Sequence, residues 1–213
     1  MEVDLQKKKL LVFTSRRMPT LKRVFSKNGW YEGDWSGGEK HGYGIQKLRD
    51  GNFFEGEWAA GKPNGLGTLS VKLSVGRRTI YQGQWKQGYR SGAGTSFAAD
   101  GERYDGPWLL GRRHGDHGEL RLGNGDVYVG GFRRNLRHGY GRILYANTGN
   151  FYDGEWKDDM PAGRGTYYFS NTGGVLEGEW NSGVCKAGTF RSAGLPELGL
   201  EAADSDEASQ NTY

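Results

Sequence analysis

One five-residue pattern recurs along this chain: a large ring, a polar residue, glycine, a second polar residue and another large ring. Tyr31-Glu32-Gly33-Asp34-Trp35 opens the first copy, and ten residues after its tyrosine comes His41-Gly42-Tyr43-Gly44. Further copies start at Phe54, Tyr81, Tyr104, Tyr128, Tyr152 and Leu176, so successive starts lie 23, 27, 23, 24, 24 and 24 residues apart. A period of this length marks a repeat architecture, in which no unit can bury its own apolar face and each leans on its neighbours.

Alternate side chains of a strand share a face. The two rings and the glycine between them therefore point one way, and the polar residues point the other. Bare backbone between rings lets a neighbouring ring lie flat on the chain. The later Gly-x-Gly, as in Gly42-Tyr43-Gly44, reads as two more bare spots on one face of a second strand. About six polar residues separate the two half-motifs, as in Ser36-Gly37-Gly38-Glu39-Lys40, which is the composition of a hairpin loop. Asp50-Gly51, Asp100-Gly101, Asn124-Gly125, Thr148-Gly149 and Thr172-Gly173 supply a second turn. Each unit thus reads as strand, loop, strand, turn. The predicted fold is all-β: an elongated, single-layer, twisted antiparallel sheet of about seven stacked hairpins with non-globular tails. About fourteen strands would span roughly 65–70 Å. The repeat core is assigned to Tyr31, Trp35, Trp58, Tyr81, Trp85, Tyr104, Trp108, Tyr128, Phe132, Tyr152, Trp156 and Trp180. With 38 glycines in 213 residues and 35% hydrophobic residues, there is no material for a thick globular core.

The pattern resembles the MORN (membrane occupation and recognition nexus) repeat family, over about residues 22 to 190. Within that family it is similar to the short, repeat-only proteins of cilia and sperm flagella, on the long second unit and the truncated last one ending Lys186-Ala187-Gly188-Thr189-Phe190. The resemblance implies a sheet of stacked hairpins that serves as an interaction surface. The array is placed at residues 28–190, between an arm over 1–27 that includes a partial first hairpin and a tail over 191–213.

Charge is unevenly distributed. The arm has a local charge of +6 and includes Lys7, Lys8 and Lys9; from residue 195 on, the tail carries acidic residues and no basic one. The hairpin loops of the middle units are basic, with Lys86 and Arg90, Arg112 and Arg113, then Arg133, Arg134 and Arg137. Equivalent loops should recur about every 10 Å, close to the Debye length of roughly 8 Å, so they can act together on one polyanion. These residues and the arm lysines are the candidate partner-binding set. Against them stands an acidic row on the other face, from Glu32, Asp34, Glu55 and Glu57 to Glu177 and Glu179. The fourth unit has one extra residue in His114-Gly115-Asp116-His117-Gly118, which predicts a bulge. In the second unit, Val71, Leu73 and Val75 predict a projecting hairpin with Gly76-Arg77-Arg78 near its tip. Cys185 is expected in the last loop, and a single cysteine makes no intramolecular disulfide.

The chain carries no phosphate-cradling Gly-x-x-x-x-Gly-Lys-[Ser/Thr] motif and no nucleophile elbow. Its acidic pairs repeat in register on an open face, where general acid–base work has no cleft. The expectation is a non-catalytic protein with no cofactor and no metal, and with no nucleic-acid partner because the aromatics are committed to packing. The resemblance implies a structural adaptor of the ciliary or flagellar axoneme, its partners axonemal or cytoskeletal proteins, tubulin among them. Two alternatives stand beside it: a peripheral binder of anionic membrane lipid or phosphoinositide, and an assembly scaffold in flagellum formation. Homodimerisation through the array ends is a further expectation, since open sheet edges invite pairing. The expected location is the axoneme and cytoskeleton, otherwise the cytoplasm.

Overall fold

The computed structural model describes residues 23–27 and 29–192; the lysines at 7–9 and the tail beyond Ser192 lie outside them. The described residues contain no helix and form one open antiparallel sheet of sixteen strands. A short β1 (Val24–Ser26) leads in. The seven units follow as β2 (Gly29–Ser36) and β3 (Glu39–Lys47), β4 (Phe53–Ala59) and β5 (Lys62–Lys72), β6 (Arg77–Lys86) and β7 (Tyr89–Phe97). Then come β8 (Arg103–Leu109) with β9 (Arg112–Arg113) and β10 (Gly115–Arg121), β11 (Val127–Arg133) and β12 (Leu136–Leu144), β13 (Phe151–Lys157) and β14 (Met160–Phe169), and β15 (Gly174–Asn181) and β16 (Val184–Ser192). Each strand pairs with the next in sequence, except that β8 pairs both β9 and β10.

Register is set by glycine. Gly33 lies opposite Gly44, Gly44 opposite Gly56, Gly56 opposite Gly67, and so on to Gly178 opposite Gly188. A row of bare backbone therefore crosses the sheet at right angles to the strands. On it lie the rings of Tyr31, Phe54, Tyr81, Tyr104, Tyr128 and Tyr152, all buried. A Cβ at Gly44, Gly94, Gly141 or Gly165 would overlap the ring of its own unit's tyrosine.

The two glycines of Gly-x-Gly do different things, contrary to the reading of both as bare spots on one face. The second belongs to the row. The first, at Gly42, Gly92 or Gly163, has positive φ and sits in a bulge opposite the fourth motif residue. The bulge turns the strand so that this glycine meets a polar side chain and not a ring. Asp34 Oδ2 accepts from Tyr43 N at 3.0 Å, Gln84 Oε1 from Ala93 N at 3.2 Å, and Glu155 Oε1 from Arg164 N at 3.1 Å.

The hairpin connections are also shorter than expected. Residues flanking them pair, as Trp35 with Lys40 and Ser36 with Glu39. Only two residues remain in each turn, both with positive φ: Gly37-Gly38, Ala60-Gly61, Gln87-Gly88, Leu110-Gly111, Arg134-Asn135, Asp158-Asp159 and Ser182-Gly183. These are primed turns, whose twist matches that of the strands. Successive turns bond to one another, Gly88 N to Pro63 O at 2.8 Å and Gly111 N to Arg90 O at 2.9 Å. On the other edge of the ribbon the connections are Asx- or Thr-stabilised, as where Asn52 N donates to Asp50 Oδ1 at 2.9 Å.

The extra residue of the fourth unit is absorbed as a bulge: Gly115 faces Phe132 and Gly118 faces Gly130. The strand breaks at His114, whose N–H donates to Pro107 O at 3.0 Å. The second unit does extend, with Val75 88% exposed at its turn. Its two arginines follow the turn directly, Arg77 pairing with Lys72 and Arg78 with Val71, and their side chains fold back over the sheet. Arg77 lies over the Phe53 ring at 3.4 Å, and Arg78 Nη1 donates to Ala98 O at 3.0 Å. Cys185 is on β16 and not in a loop; its Sγ hangs over Gly178 and Gly188, where other units place a tyrosine hydroxyl.

Candidate functional site: a cation-capped aromatic face

The rings of one face form an unbroken edge-to-face series. Tyr31 meets Trp35 at 5.3 Å and Trp58 at 5.2 Å; Phe54 meets Trp58 at 5.0 Å and Trp85 at 5.1 Å. The alternation continues through Tyr81, Trp108, Tyr104, Phe132, Tyr128, Trp156 and Tyr152 to Trp180. T-shaped contact sets the positive edge of one ring against the negative face of the next. From Trp58 onward every polar tip of the ladder is answered. The tyrosine hydroxyls donate to a backbone carbonyl three residues on, Tyr81 to Gln84 O at 3.0 Å and Tyr128 to Gly131 O at 3.0 Å. The indole N–H donates to a row glycine of the preceding unit, Trp108 to Gly94 O at 3.0 Å and Trp156 to Gly141 O at 2.9 Å. Burial makes the phenolate costly, so the hydroxyls of Tyr31 and Tyr81 are pushed up to about 12, and those of Tyr104, Tyr128 and Tyr152 are raised further.

The basic residues divide into two kinds. Arg90, Arg113 and Arg137 each stand at the second position of a returning strand, and each guanidinium folds over the rings. Arg90 lies 4.9 Å from the Tyr81 ring and 5.1 Å from Trp108; Arg113 is 5.1 Å from Tyr104; Arg137 is 4.4 Å from Trp156. Lys40, absent from the candidate set, does the same at 4.7 Å from Trp58. At the remaining equivalent positions an uncharged residue stands opposite the tryptophan, Pro63 by Trp58, Pro161 by Trp156 and Cys185 by Trp180. These cations cap the ladder by cation–π contact. Burial lowers the pKa of Lys40 and of Arg90. Lys86, Arg112, Arg133 and Arg134 are exposed along the turn edge.

The assigned core is unevenly covered. Trp58, Trp108, Phe132 and Trp156 are buried, Trp85 and Trp180 half-buried. Trp35 is 43% exposed because no earlier unit covers it. Phe54, Leu120 and Ile143 are as buried as the assigned residues and were missed. Phe54 carries the signal of its motif position; Leu120 and Ile143 become visible only when opposed to Tyr104 and Tyr128 across the sheet.

The acidic row of the opposite face is largely answered. Arg23 pairs with Glu32 at 2.9 Å, Arg103 with Asp105 at 3.1 Å, and Arg164 with Glu179 at 3.3 Å; Arg142 reaches Asp153 and Arg191 reaches Glu177. Tyr43 donates to Glu55 at 2.8 Å. What the array offers is surface: one face of capped rings, one of paired charges, and an edge of free cations.

No curated protein matches the chain. The family model of the MORN repeat matches residues 31–53, 54–70, 81–103, 128–149 and 152–173, half of the chain. The units at 104 and 176 lie outside these segments, and they are the two whose patterns are altered: Pro107 and the bulge in one, Leu176 and Cys185 in the other. Both still build the same hairpin, and the chain belongs to the MORN repeat family.

Proposed function

We propose that the protein is a non-catalytic adaptor of the ciliary or flagellar axoneme. MORN repeats point to a binding or structural role. The observation that carries the reading is the continuous ladder from Tyr31 to Trp180, which makes the described array one ribbon with two long faces and no enclosed cleft. Such a ribbon holds several partners at fixed spacing. The address at the axoneme rests on the resemblance to short, repeat-only proteins of cilia and flagella, and its partners are axonemal or cytoskeletal proteins, tubulin among them. A tagged copy expressed in flagellated cells should stay with axonemes after detergent extraction. Release into the detergent-soluble fraction at every stage would remove the axonemal address, and retention only during flagellar growth would favour an assembly scaffold.

The exposed Lys86, Arg112, Arg133 and Arg134 favour a second reading, contact with an anionic membrane, at about 1 kcal/mol per basic residue near the surface. Flotation with phosphatidylserine vesicles at low salt should then fail when these four are changed to serine.

A further inference from the structure

The four capping cations are not alike. Lys40 Nζ donates to Gln46 Oε1 at 2.6 Å. Arg113 pairs with Glu102. Arg137 donates through Nε to Asp159 Oδ1 at 3.1 Å and through Nη2 to Asp159 O at 2.8 Å. The guanidinium of Arg90, half-buried between Tyr81 and Trp108, has no hydrogen-bond acceptor among the described residues. A desolvated guanidinium with unused donors is a costly arrangement, because each unmade charged hydrogen bond leaves its desolvation uncompensated.

The reason lies in two short residues. The position opposite the motif tyrosine, which holds Gln46 in the first unit, is Ser96 here. The second residue of the following turn, which is Asp159 beyond Arg137, is Gly111 beyond Arg90. Neither reaches the guanidinium. Their shortness leaves an open depression of about 680 Å³, lined by Arg78, Arg90, Ser96, Phe97, Trp108 and Arg113. Arg78 uses one amino group on Ala98 O, and Glu102 is held by Arg113. The site is thus walled by rings, floored by a guanidinium, and short of one anion.

From this we infer that the depression over Arg90 is a docking site for an acidic side chain of a partner protein, whose carboxylate takes the place that Asp159 fills beside Arg137. The class of ligand follows from the sister sites, where arginine caps are answered by carboxylates, Glu102 and Asp159. A guanidinium and a carboxylate match in geometry. Recession of the cation between two rings, with Glu102 on the rim, suits one inserted side chain better than a flat anionic surface. The inference rests on the adaptor reading and names what one partner presents, but it does not depend on the axonemal address.

The test is anisotropy of a fluorescein-labelled hexaglutamate peptide with the purified full chain at low salt. Gly111→Asp supplies an internal carboxylate at a turn position already occupied by a non-glycine residue in two other units, Asn135 and Asp159, both with positive φ. A Cβ at Gly111 has room, its nearest neighbour being Tyr89 at 3.9 Å. Gly111→Asp and Arg90→Gln should each weaken the peptide about tenfold or more, the value of one charged hydrogen bond. Gly111→Asp should do so with the sheet still folded by circular dichroism and the melting temperature lowered by no more than a few degrees. The pair Arg133→Ser and Arg134→Ser should change binding less than twofold. Absence of binding by the unaltered chain, full binding by Gly111→Asp, or an equal loss in the Arg133 and Arg134 pair would overturn the inference. So would phosphatidylserine vesicle binding that Gly111→Asp abolishes while the peptide still binds. Peptide binding with no axonemal retention would leave this site standing and remove the address; axonemal retention with no peptide binding would do the reverse.

Discussion

Gly139 and Gly141 are two residues apart and answer to different forces. A Cβ at Gly141 would overlap the Tyr128 ring, whereas one at Gly139 meets nothing within 4 Å and suffers only from a φ of 76°. Gly141→Ala should cost about 2–3 kcal/mol by overpacking, and Gly139→Ala about 1 kcal/mol by backbone strain, both read from urea unfolding. Equal costs would mean that the ring does not rest on the row. Phe54 stands where five other units or their neighbours use tyrosine, and it forfeits the hydroxyl bond that Tyr81 makes to Gln84 O. Phe54→Tyr should gain about 1 kcal/mol in the same measurement. The buried phenols also fix a pH response. Their folded pKa values lie above the unfolded value of about 10, so above that pH the folded chain binds more protons than the unfolded one. Stability is complete below about pH 10 and falls as pH rises through the folded values, about 12 for Tyr31 and Tyr81. Circular dichroism should show the sheet lost in that window together with the rise of tyrosinate absorbance. Independent ionisation without unfolding would contradict the burial.

At the scale of the element, each hairpin is tied to its neighbour by a tryptophan. Trp108 touches Tyr81 and Tyr104 and donates to Gly94 O. Trp108→Ala should cost about 3–5 kcal/mol. Hydrogen exchange should show the protection lost first in β7 to β10 and kept in β13 to β16, as nearest-neighbour coupling requires. Strands, their order and the buried face were legible from the spacing of Tyr31, Gly33 and Trp35, because a period of two assigns a face without further information. The turns were not. The polar run from Ser36 to Lys40 looks like loop, yet its ends pair because two residues of left-handed backbone suffice. The caps were hidden for a different reason. Arg90, Arg112 and Arg134 look alike in sequence, but only the residue at the second position of the returning strand points towards rings, and the rings it covers belong to two successive units. The same holds for the acceptors: Asp159 answers Arg137 from the next turn, a relation set by stacking and not by local pattern.

Over the whole molecule, a single layer with a row of glycines behaves as a sum of neighbours. Removing the last hairpin, by ending the chain after Ser170, should leave the remaining sheet folded with a lower melting temperature. Complete loss of structure would mean that the units are not separable. The indole bonds give the ribbon a direction. Among the described residues, every tryptophan from Trp58 onward, where the position holds one, donates to the unit before it, so Gly188 at the far end has a carbonyl that no indole reaches, while Trp35 at the near end has an indole with no such acceptor. Two copies meeting by like ends would bring together two donors or two acceptors. For this indole bond only opposite ends complement, so assembly that used it would be vectorial and open-ended, a filament in place of a closed pair.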